Sequence, residues 1–90
     1  MNQQLLKDNF DLYQFLCKLA QELRRTDHVE LAENIETASL FANGSPSEFL
    51  HEAQVTLEQV ERARPEQIDI TQIRFVIAQI KEAFRKIGGA

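Results

Sequence analysis

The chain has 90 residues, a formal net charge of −4, 43% hydrophobic and 27% charged residues, and one cysteine. That length holds one small domain. The composition is too apolar for a disordered chain, and the acidic balance argues against a nucleic-acid backbone binder, which shows a basic footprint. No apolar run approaches the ~18 residues of a membrane span. MNQQLLKDNF lacks the basic-then-apolar pattern of a secretory leader, and Cys17 alone can build neither an intramolecular disulfide nor a cysteine zinc site. The expected setting is a reducing cytoplasm.

The first helix is expected from near Gln4 to Arg25. Its apolar residues, from Leu5 and Phe10 through Tyr13, Phe15 and Cys17 to Leu23, cover an arc of roughly 220° at about 100° per residue. That is twice the usual stripe of a surface helix, so this helix is expected to meet more than one neighbour. Asn9 lies inside the arc. It is a buried polar group if the helix starts early, and a first-turn residue if it starts near Asp8.

The second helix is expected over 28–42, capped by Asp27 with Glu30 reaching back, and stopped by Asn43-Gly44. Ser45-Pro46-Ser47-Glu48 combines a capping box with proline at the first helical position and opens a third helix over 46–63. The fourth, over 70–87, has Asp69 as cap with Gln72 three residues on, and Ile68 placed to staple onto Ile73. Ile70, Ile73, Ile77, Ile80, Phe84 and Ile87 then recur at spacings of three and four. Four helices on short loops are sequential antiparallel neighbours, and the fold class read from this pattern is an all-α, up-down-up-down antiparallel four-helix bundle.

Charge is spread unevenly. Between Asp27 and Glu61 stand eight acids and no lysine or arginine; residues 1–26 carry four bases against three acids, and residues 62–90 six against three. The middle hairpin is either a solvated face balanced by the two outer helices or a docking ridge for a basic partner. Its candidate anchors are Glu30, Glu33, Glu36, Glu58 and Glu61. Phe75 lies roughly 145° from the centre of the fourth helix's apolar face, with Val55 a weaker outlier on the third. Phe75 either folds over a neighbour or forms a protein contact, self-association included.

Catalytic signals are thin. Glu48 and His51 match the Glu-x-x-His spacing of di-iron bundles, but one copy stands where the chemistry needs two plus two more carboxylates. His51 also resembles a phosphorelay histidine in sitting on a small helical bundle, yet Glu52-Ala53-Gln54-Val55 follow it instead of the usual basic and small residues. Cys17, at the edge of the first helix's apolar face, has no motif pairing it with His28 or His51. His28 reads as a first-turn solvent residue. No phosphate loop, nucleophile elbow or HExxH is present.

The expectation is therefore a non-enzymatic protein–protein interaction module without cofactor or metal, partnered by another protein or by itself through Phe75 and the wide first helix. The second reading is an acidic inhibitor that holds a basic partner with the 27–61 hairpin. The chain is similar to bacterial immunity proteins only in being small, acidic and helical, a likeness that supports this second reading. A metal or phosphotransfer protein using Glu48 and His51 stands third.

Overall fold

A computed structural model describes residues 8–86. They form α1 (Asn9–Arg25), α2 (Val29–Ser39), a 3-10 turn (Leu40–Asn43), α3 (Pro46–Ala63) and α4 (Ile70–Lys86), with no strand among them. The architecture is the all-α four-helix bundle, up-down-up-down. Close backbone approach is mainly between consecutive helices.

Each boundary has a local cause. Asp8, in extended backbone, turns its carboxylate to the Asp11 amide at 3.0 Å and starts α1 one residue later. Asn9 is therefore a first-turn residue. The expected helical residues 4–7 lie outside the described span, as does Ile87 at the far end.

The start of α2 differs from expectation. Asp27 does not cap it; it sits at φ 73 and ends α1. Its amide donates to the Arg24 carbonyl at 3.2 Å and that of His28 to the Leu23 carbonyl at 2.8 Å. Those paired bonds are a Schellman closure, with aspartate in the left-handed position that glycine usually takes. The N-cap of α2 falls to His28, whose side chain makes no capping bond. At the other end the α-helix stops at Ser39 and the expected 40–42 segment tightens into 3-10 turn, a common way for a helix to finish. The Ser39 hydroxyl donates to the Glu36 carbonyl at 2.7 Å, and the Gly44 amide closes the turn onto Phe41 at 2.9 Å.

Proline stands at the start of α3 as expected, but the capping box does not form. The Ser45 hydroxyl bonds the Ser47 hydroxyl at 3.1 Å and makes no cap to the backbone. The helix ends on Arg64 at φ 50, before buried Pro65. The α4 cap forms as expected, the Gln72 amide donating to Asp69 Oδ1 at 3.2 Å.

The interior is one cluster drawn from all four helices, with Leu16, Leu23, Ile35, Phe49, Leu57 and Val76 sealed within it. Thr56, the one buried polar residue among those described, returns its hydroxyl to the carbonyls of Ala53 and Glu52 at 3.1 and 3.2 Å, so its own donor is satisfied, whereas the buried Gln72 Nε2 on α4 has no partner.

Among the described residues a polar tie crosses each consecutive pair. Arg24 of α1 grips Glu36 of α2 with two bonds of 2.8 and 2.7 Å; Asn34 of α2 donates to Gln59 of α3 at 3.1 Å; Arg74 of α4 reaches Glu61 of α3 at 2.8 Å. The seam between α1 and α4 is looser. A cavity of about 420 Å³ opens there, floored by Phe15 and Leu19 on one side and Ile68 and Ile73 on the other. A smaller one of about 160 Å³ separates Asp8, Asn9 and Leu12 from Gln79, Ile80 and Ala83. The start of α1 therefore lies beside the end of α4, as antiparallel order requires.

Candidate functional site: the outer face of α1

The buried residues of α1 are Leu12, Phe15, Leu16, Leu19, Ala20 and Leu23. At about 100° per residue they span only roughly 140°, and Tyr13, Cys17 and Phe10 extend the apolar arc by roughly another 80° on the side towards α2. Spacings of three and four residues stack these three side chains in one stripe along the helix. Phe10 is 61% exposed and Tyr13 37%, their ring centroids 6.4 Å apart at an interplanar angle of 22°. Cys17 is half-buried and unpaired by disulfide. The neighbouring Cys17 side chain, with a smaller contribution from desolvation, pushes the Tyr13 phenol above its usual range.

The 3-10 turn completes the face. Ala42 and Asn43 close a groove of about 260 Å³ against Asn9, Phe10 and Tyr13. Leu40, the first residue of the turn, is 76% exposed, more than any other large hydrophobic residue described. It follows Glu36 by one helical turn, and Glu36 is the residue that Arg24 draws to the α1 side. Leu40 thus stands on the α1 side of α2, two residues before Ala42, which lines the groove. The tight 3-10 geometry turns its neighbours Phe41 and Ala42 onto the core and leaves Leu40 outside.

The residues expected from the sequence lie elsewhere. Glu30 and Glu33 are exposed on α2. Glu36 is held by Arg24, whose hydrogen bond and charge keep its carboxylate below the ordinary 4.5 despite some desolvation. Glu61 is taken by Arg74, and Glu58 accepts from the Gln54 amide at 3.1 Å. The acidic hairpin is thus partly spent on joining α2 and α3 to their outer neighbours. Phe75 and Val55 are half-buried, and the larger apolar exposure falls on Phe10, Tyr13, Leu40 and Val29. Glu48 and His51 are exposed on α3, and among the described residues no three His, Cys, Asp or Glu side chains converge as metal ligands. No described helix is long and apolar enough to cross a membrane.

Phe10 and Tyr13 were legible only as part of an apolar arc too wide for one core. Leu40 had no pattern to mark it, because its exposure depends on where α2 gives way to the 3-10 turn. Comparison with known protein families, with curated proteins and with solved structures finds no match.

Proposed function

We propose that this chain is a non-enzymatic protein–protein interaction module of the cytoplasm, docking through Phe10, Tyr13 and Leu40 on the outer face of α1 and the adjoining turn. The observation that carries the reading is the exposure of Phe10 and Leu40 beside a sealed interior. Aromatic and aliphatic anchors of this kind supply most of the energy of interface cores, and contiguous apolar surface is what a lone soluble domain avoids. The unpaired Cys17 supports the reducing compartment.

The test is affinity capture with wild-type, Phe10→Asp and Leu40→Glu baits from lysate of the source cell. A protein held by the wild type and lost from both variants, with their helical circular dichroism unchanged, is the expected result. Equal capture by all three sinks the reading.

The inhibitor reading keeps Glu30 and Glu33 as its exposed anchors, since Glu36 and Glu61 already have arginine partners. Salt separates the two: a contact through the acidic edge weakens steeply with ionic strength, and one through the α1 face does not.

A further inference from the structure

We infer that the occupant of the α1 face is a second copy of this chain, α1 packing antiparallel to its counterpart about a two-fold axis near Gln14. This rests on the docking face proposed above and names its partner.

Charge is the first ground. The sector of α1 that carries the stripe holds Asn9, Phe10, Tyr13, Gln14, Cys17 and Gln21, all uncharged, with exposed Lys18 at its rim beside Gln14 and Cys17. The charged pair at its end, Arg24 with Glu36, neutralises itself. The acids that make the molecule net negative are concentrated on α2 and α3. A basic partner finds nothing on this face to hold, whereas two identical copies meet across it without bringing like charges together.

Symmetry is the second. A two-fold interface must be complementary to itself, with each contact made twice. The stripe runs from Phe10 to Cys17, so an axis at its midpoint sets Phe10 of one copy against Cys17 of the other and the two Gln14 amides against each other. A primary amide both donates and accepts, which suits a residue on the axis.

Area is the third. Phe10, Tyr13 and Leu40 expose 61%, 37% and 76% of their surfaces. With aromatic side chains of about 150–250 Å² each, they offer roughly 300 Å² of apolar surface per copy. Doubled by symmetry this is roughly 600 Å², and burial of the surrounding Asn9, Gln14, Gln21 and Asn43 brings the contact towards the low end of stable interfaces, about 1,200 Å² in total.

Sedimentation equilibrium over a wide concentration range tests the inference on the full chain. The wild type is expected to pass from one chain mass to two, with little effect of added salt. Phe10→Asp and Leu40→Glu should each raise the dissociation constant about tenfold or more. Leu40 lies in an exposed turn, so its variant decides the matter if Phe10→Asp fails to fold. In a Cys17→Ala background, Gln14→Cys should give a disulfide-linked dimer on mild oxidation. A single chain mass at every concentration overturns the inference, as does a dimer indifferent to both substitutions. If the chain stays monomeric while both variants still lose a captured protein, the second copy is wrong and the docking face stands. If capture is also unaffected, both fall.

Discussion

Among the described residues two stand in left-handed backbone without being glycine, Asp27 at φ 73 and Arg64 at φ 50. Both end helices, and the cost of each differs with its side chain. Aspartate tolerates this region because its short carboxylate bonds locally, whereas arginine gains no such relief. Left-handed backbone costs an ordinary residue about 1–2 kcal/mol, offset by the extra freedom glycine gives the unfolded chain, so Arg64→Gly should stabilise the fold by about 0.5–1 kcal/mol. Asp27→Gly should gain less. Urea unfolding of the two variants checks the order, and a destabilised Arg64→Gly would show that the Arg64 side chain holds something the backbone argument omits. The same reasoning explains why Asp27 was misplaced in the sequence. An aspartate between two helices serves either to open the second or to close the first, and nothing in its neighbours decides which. The hydrogen bonds onto Leu23 and Arg24 decide it.

At the scale of the element, two helix starts with the same sequence signature behave differently. Asp69 caps α4 through its carboxylate, while the Ser45 hydroxyl spends its bond on Ser47. Asp69→Ala should therefore cost about 1 kcal/mol, the usual value of a made N-cap, and Ser45→Ala well under about half of that. Thermal unfolding of the two variants gives the comparison; equal losses would mean that Ser45 caps α3 in solution. Helix number, order and core faces were legible because Ile73, Ile77 and Ile80, like Leu50, Ala53, Leu57 and Val60, recur at the period of the helix. The exposed face was not. Periodicity marks Phe10 and Tyr13 as apolar positions without saying whether a neighbour covers them, and Leu40 is exposed by a change from α to 3-10 winding that no spacing announces. The acidic hairpin was legible as a charge pattern. Its partial neutralisation depends on which acids face Arg24 and Arg74, and that follows only from the packing of α2 on α1 and of α3 on α4.

The molecule as a whole is a circle of four helices with three joined seams and one loose one. Between α1 and α4 the cavities floored by Phe15 and Ile73, and by Leu12 and Ile80, mark the place where no loop draws the helices together. Asp8 and Ala83 nevertheless line one small cavity, so the start of α1 and the end of α4 lie close together. The covalent break is then a matter of bookkeeping, and the circle can be cut elsewhere. A chain that begins at Ser45, runs through α3 and α4, is joined from residue 90 to residue 1, continues into α1 and α2 and ends at Gly44 keeps every described helix and every interhelix tie. Gly44 and Ser45 are exposed, and opening such a loop costs a fold little when its ends are otherwise held. This circular permutant should retain wild-type helicity and a single cooperative unfolding transition, and broad, non-cooperative melting would show that the Asn43–Ser45 turn organises the bundle. The loose seam would then be bridged by a peptide link, and the α2–α3 seam would be held by its packing and by Asn34 and Gln59 alone.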